Sequence, residues 1–209
     1  MNISNSIGNY LEELSSNSPT PGGGNVSAFC GALASSLGIM VCNLTIGKKK
    51  YLDSEEELKG IKKKLEKAKN DFLTLSTEDN QAFDRVMESF RLPKDTEEQK
   101  SVRSQKIEAA TIAAGLVPYR VISLSKIIIP YLMIIAEKGN QNSLSDTGVA
   151  FSLISTAAQG AFFNVMINCS SYKDNQQAKK ILLDAEMDFN EIKQFCMMGL
   201  EIIGKKLGQ

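Results

Sequence analysis

Apolar positions recur at helical spacing along most of the chain, and short polar or glycine and proline punctuation divides them. Ile7, Tyr10, Leu11 and Leu14 form a short amphipathic run that Ser4 or Ser6 would cap, closed by Ser15 to Ser18. A Pro/Gly turn, Pro19 to Gly24, then opens an uncharged span from Asn25 to Gly47. Within it Gly24, Ala28, Gly31, Ser35, Gly38 and Cys42 alternate steps of four and three, lining small residues along one helical face where another backbone can come close. Glycine inside a helix costs about 1 kcal/mol against alanine, so this helix is expected to be central.

Ser54 with Glu55 to Glu57 reads as a capping-box start, and Leu58, Ile61, Leu65, Ala68, Phe72 and Leu75 continue the pattern with Lys62 to Lys64 on the solvent side. Ser76 to Asp79 resembles a second cap, which predicts a break before Ala82, Phe83, Val86, Met87 and Phe90. Arg91 to Asp95 is a turn, and Thr96 to Gln99 restarts a helix running towards Lys138, with kinks or short breaks expected at Pro118 and Pro130. Gly139-Asn140 reads as a left-handed stop. A second nearly uncharged helix, Leu144 to Cys169, carries Asp146 as its single charge, and Asp174 opens the last helix through Leu207. No convincing strand pattern appears, Val121 to Leu132 being the one β-branched stretch that tempts one. The predicted class is all-α: one domain over 1–209, an antiparallel bundle of amphipathic helices around two buried small-residue helices.

Composition narrows the chemistry. Lys plus Arg and Asp plus Glu balance at 24 each, so no general field draws the chain to nucleic acid or an anionic membrane. Histidine is absent, which removes the usual general base, the usual zinc ligand and any Ser-His or Cys-His pair. Acid/base work falls to Asp, Glu, Lys or Tyr, and no metal site is expected. Cys30, Cys42, Cys169 and Cys196 show no C-x-x-C spacing and read as free, buried, cytosolic thiols. The span from Gly22 to Gly47 is long enough to cross a bilayer, but its six Asn, Ser and Thr residues favour a buried core helix.

The motif TPGGGN, a small-residue helix and then GKKKY resembles the cyclodeaminase/cyclohydrolase family, the C-terminal half of formiminotransferase-cyclodeaminase and its free-standing bacterial relatives. Further segments occur in the same order: Glu78 to Phe83, RLPKDTEEQ at Arg91 to Gln99, Val117-Pro118, Gly139-Asn140, Ser145 to Ala150, Gly160-Ala161, Asn164-Val165 and Asn168. One departure is Asn25, where a serine is expected in most relatives; asparagine can serve equally as a helix N-cap. The resemblance implies an all-α dimer in the cytoplasm. It also implies folate one-carbon chemistry: release of ammonia from 5-formiminotetrahydrofolate to give 5,10-methenyltetrahydrofolate, or interconversion of methenyl- and 10-formyltetrahydrofolate. No cofactor beyond the tetrahydrofolate substrate, polyglutamylated or not, is implied. The motif set leans to the cyclodeaminase; a non-catalytic helical dimer is the competing reading from another class.

Both reactions need a carboxylate near one cationic carbon, one moving proton and cations for the glutamate tail. Asp146 is the first candidate carboxylate, against a reading as a helix-dipole acid in a first turn, and Asp79 is the second, against a cap. Lys48, Lys49 and Lys50 are candidate clamps with Lys50 as proton donor, or else a solvated run at a helix C-terminus. Tyr51 is a candidate stacking partner or plain packing. Pro21, Gly22, Gly23, Gly24 and Asn25 offer backbone amides at a helix start. Asn164 offers pterin contact or, with Asn168, a hydrogen bond across the core. From Gly24 to Lys48 a helix extends roughly 36 Å, so the glycine turn and the lysines fall at opposite ends of the bundle. Alternating helix direction then puts the Asp146 end of its helix near Lys48 and the Asn164 end near the glycines.

Overall fold

The structure is a computed structural model and describes residues 7–208. It is 89% helical, with no strand among the described residues. Among the described residues six α-helices follow one another: α1 (Ile7–Leu14), α2 (Gly23–Thr45), α3 (Glu55–Phe90), α4 (Glu97–Lys138), α5 (Leu144–Cys169) and α6 (Gln176–Leu207). Short 3-10 turns precede α3 and α5 and follow α5. The proposed caps Ser4 and Ser6 lie outside the described residues.

The small-residue face of α2 is buried as its spacing predicts, but side chains of α3, rather than a crossing backbone, fill it. A Cβ added at Gly31 would lie 2.5 to 2.6 Å from carbons of the Phe72 ring, and one at Gly38 would lie 2.8 Å from Leu65. Gly24 holds the next notch, for Asp79. Steps of seven down α2 thus meet steps of seven up α3, which makes the pair antiparallel with fixed register. The adjoining face of α2 packs on α5, also antiparallel, with Gly23 beside Asn164 and Gly160 beside Ser27. Helix α4 closes the layer against α3 and α5, and α6 covers α4 and α5. Phe72, Leu65, Phe151, Ile154, Ile129 and Leu132 are fully buried along this axis.

Several local expectations give way to tertiary packing. Helix α3 runs unbroken through Ser76 to Asp79, because the Ser76 and Thr77 hydroxyls bond back to the Leu73 carbonyl rather than capping a new helix. Ser54 does sit at the α3 N-cap, yet its side chain makes no capping bond. The helix restart expected at Thr96 to Gln99 is α4, which Thr96 and Gln99 open with a reciprocal capping box. Pro118 and Pro130 break nothing: α4 continues over both, and Val121 to Leu132 lies inside it. Gly139 is extended (φ −75°, ψ 178°) rather than left-handed. A glycine fits there because a Cβ would meet the Ile135 carbonyl oxygen at 2.5 Å and Val41 at 3.1 Å. Asn25 is no N-cap; Gly22 holds that position. The last helix starts at Gln176 under an Asn175 cap, just past Asp174.

The four cysteines are free, with Cys42, Cys169 and Cys196 buried and Cys30 half-buried. By length and composition α2, α4 and the stretch containing α5 are each long and apolar enough to cross a membrane. In the fold α2 buries Asn25, Ser27, Ser35 and Thr45 against its neighbours, the hydroxyls bonding to carbonyls one turn back.

Candidate active site

Two polar centres flank the ends of α2, about 34 Å apart at 1.5 Å per residue. At the glycine end the chain enters through a cis Thr20-Pro21 peptide, Pro21 is buried, and Gly22 caps α2 in an extended conformation. Three unsubstituted residues, Gly22, Gly23 and Gly24, leave the first turn of the helix open to close approach. Into that opening α3 projects Asp79: a Cβ at Gly24 would fall 2.6 Å from its Cγ and 2.7 Å from Oδ2. The carboxyl accepts the backbone N–H of Asn25, yet burial outweighs that bond and pushes its pKa up to about 6.

The Asn25 side chain is 1% exposed and turns away from the opening. Its Nδ2 donates to the Ser76 carbonyl (2.7 Å) and to Asn80 Oδ1 (3.3 Å), while its Oδ1 accepts the Tyr10 hydroxyl (2.8 Å). Tyr10 is itself buried, stands edge-on to Phe29 with ring centroids 5.4 Å apart, and has its pKa raised to about 12, chiefly by burial. On the opposite flank Asn164 donates to the Gly160 carbonyl (2.8 Å), its Nδ2 3.5 Å from where a Gly23 Cβ would stand. Asn164 therefore bonds within its own helix rather than across the core, with Gly23 of the glycine turn beside it. Sequence reasoning missed Tyr10, which read as one more apolar position of α1. The available signal was that a buried tyrosine hydroxyl must find a partner.

At the other end of α2, Lys48, Lys49 and Lys50 are exposed on the turn before α3. Lys50 lies over the Tyr51 ring at 5.5 Å, and the Tyr51 hydroxyl bridges to Asn140 Oδ1 (3.4 Å) and the Gln141 N–H (3.3 Å). Asn140 in turn donates its backbone N–H to Thr45 (2.9 Å) and its Nδ2 to the Leu44 carbonyl (3.3 Å). These bonds pin the lysine turn to the segment leading into α5, whose first turn carries half-buried Asp146. The Asp146 carboxylate has no hydrogen-bond or ion-pair partner among the described residues. Of the candidates, Pro21, Gly22, Gly23, Gly24, Asn25, Asp79 and Asn164 thus gather at one end, and Lys48, Lys49, Lys50, Tyr51 and Asp146 belong to the other. Among the described residues, no group of three or more Cys, Asp or Glu is placed to hold a metal ion.

Known proteins carry the same architecture. The family profile described as formiminotransferase-cyclodeaminase matches residues 6–187. A methenyltetrahydrofolate cyclohydrolase of Methylorubrum extorquens is 39% identical over 180 residues, 86% of each chain. The formimidoyltransferase-cyclodeaminase of Mus musculus is 29% identical over 83% of this chain, which spans 32% of that longer protein. The crystal structure of formiminotetrahydrofolate cyclodeaminase from Thermotoga maritima superposes with a TM-score of 0.86 at 30% identity, covering 97% of both chains. With its helical frame shared over nearly its whole length, this chain belongs to the formiminotransferase-cyclodeaminase family, as a folate one-carbon enzyme of the cyclodeaminase/cyclohydrolase type.

Proposed function

We propose that the chain is a methenyltetrahydrofolate cyclohydrolase, converting 5,10-methenyltetrahydrofolate and water to 10-formyltetrahydrofolate and a proton. The carrying observation is its 39% identity to such an enzyme across 86% of both chains, where the likeness to proteins named as cyclodeaminases runs at 26 to 30%. This reverses the lean that the motifs alone suggest. Ammonia release is the second reading, favoured by the 0.86 TM-score to a cyclodeaminase.

In this reading Asp79 is the acid/base group. A carboxyl with a pKa of about 6 is largely ionised at neutral pH and still basic enough to take a proton from water attacking the methenyl carbon. The tetrahedral adduct then breaks its carbon–N5 bond, with a proton passing to N5. Gly22 and Gly23 leave room for the pterin to approach beside the Asp79 carboxyl, which occupies the notch at Gly24, and Asn164 borders Gly23. Asp146 remains a candidate for the cationic centre from the lysine end, its unpartnered carboxylate being the supporting observation. Lys48, Lys49 and Lys50 are proposed to hold the glutamate tail, with Tyr51 against a ring, and Lys50 stays a candidate proton donor. Because the two centres lie at opposite ends of α2, a homodimer that sets one chain's lysine end beside its partner's glycine end is part of the proposal. So are a cytoplasmic location and the absence of any cofactor beyond the folate.

The test follows the methenyl chromophore with purified protein. Enzyme-accelerated loss from methenyltetrahydrofolate is expected, with a kcat/KM that falls as pH drops below about 6, where the base form of Asp79 is lost. Asp79→Asn is expected to lower kcat by roughly 10²- to 10⁴-fold. Chromophore gained from 5-formiminotetrahydrofolate with ammonia release would instead establish the deaminase. Loss of activity in Asp146→Asn but not in Asp79→Asn would move the chemistry to the lysine end.

A further inference from the structure

We propose that Tyr10 is a positioning residue for the Asp79 carboxyl, acting through the Asn25 side chain, so that the short helix α1 completes the active site. The inference rests on the reading of Asp79 as the acid/base group. Helix α1 is otherwise loosely held, with Ile7 64% and Leu11 53% exposed against 2% for Tyr10. Its buried anchor is thus a tyrosine whose hydroxyl reaches fifteen residues along the chain to Asn25. An asparagine amide presents one acceptor end and one donor end, and a buried one is fixed only if its partners distinguish them. Tyr10 donates to the Asn25 oxygen, which turns the NH2 group towards two acceptors on α3, the Ser76 carbonyl and Asn80 Oδ1.

Those two acceptors bracket Asp79, Ser76 three residues before it and Asn80 immediately after, while the Asn25 backbone N–H bonds the carboxyl itself. Asn25 therefore ties the first turn of α2 to α3 on both sides of the group that must stay aligned with the Gly24 opening. Replacing the Tyr10 hydroxyl leaves the Asn25 oxygen buried without a donor, so the amide keeps its bonds to Ser76 and Asn80 but loses the one that braces it from α1. The first turn of α2 is then free to shift against α3, and the carboxyl loses its fixed place at the reacting carbon.

The experiment is steady-state kinetics on methenyltetrahydrofolate with wild type, Tyr10→Phe, Asn25→Ala, the double variant and Asp79→Asn, with the folded fraction of each checked by circular dichroism at the assay temperature. Tyr10→Phe keeps the ring against Phe29. It is expected to lower kcat about tenfold, the size of one lost buried hydrogen bond, with KM within about twofold of wild type. The double variant is expected to be no worse than Asn25→Ala, since Tyr10 acts only through that side chain. A Tyr10→Phe protein with wild-type kcat, a change confined to KM or to melting temperature, or additive losses in the double variant would each overturn the positioning role while an inactive Asp79→Asn leaves the acid/base reading standing. Full activity in Asp79→Asn, or no turnover by wild type, overturns both.

Discussion

Burial of the Asp79 carboxyl against Gly24 makes the native state hold that proton more tightly than the unfolded chain does. Its pKa rises from 3.8 to about 6. Stability from this group is therefore greatest below about pH 4 and declines as pH rises to about 6, a loss of at most roughly 3 kcal/mol. Asp79→Asn removes a buried charge while leaving an oxygen for the Asn25 N–H. The variant should melt several degrees higher than wild type at pH 8, with the gain shrinking towards pH 4 in paired thermal scans. Gly24→Ala makes the opposite point. Alanine ordinarily strengthens a helix, but here its methyl would occupy the carboxyl's place, so activity should fall by an order of magnitude or more and stability by about 1–3 kcal/mol in denaturant titration. Asp79 is visible in the sequence as a candidate acid, yet its Ser-Thr-Glu-Asp context mimics a cap. Only the packing of α3 across α2 makes it a half-buried acid rather than a surface one.

Between helices, register is carried by the glycine notches. Gly31→Ala in α2 should destabilise by about 1–3 kcal/mol, because Phe72 fills the space a Cβ needs. Gly60→Ala in exposed α3, where nothing lies within 4 Å, should stabilise by up to about 1 kcal/mol. Urea midpoints for the two variants should move in opposite directions; equal signs would mean the notch does not set the packing. The alternating small residues of α2 predicted a close-packed face, and the helix restart at Thr96 and the bounds of α5 are likewise readable from sequence. Continuity was not. Ser76 and Thr77 spend their hydroxyls inside α3, and α4 passes both prolines, because burial along the bundle outweighs local preferences worth a few kcal/mol at most.

For the molecule as a whole, the separation of the two polar centres along α2 is the main constraint on mechanism. The outward stripe of α5 exposes Val149 at 51%, Phe163 at 58% and Ile167 at 77%, and α2, which packs against α5, exposes Leu33 and Leu44. If this face seats a second copy, Phe163→Glu should convert a dimer to a monomer by light scattering and lower activity, while a wild-type monomer would remove the two-subunit site altogether. Helix content, the central uncharged helices and the family motifs were determined by the sequence itself, since periodicity and short-range chemistry act within a few turns. Which carboxyl is drawn against the glycine turn, which amide is locked by Tyr10, and which candidates share an end were decided by the tertiary structure. Those properties depend on residues fifteen to more than fifty positions apart meeting across packed helices, and no local pattern encodes how far the solvent is excluded where they meet.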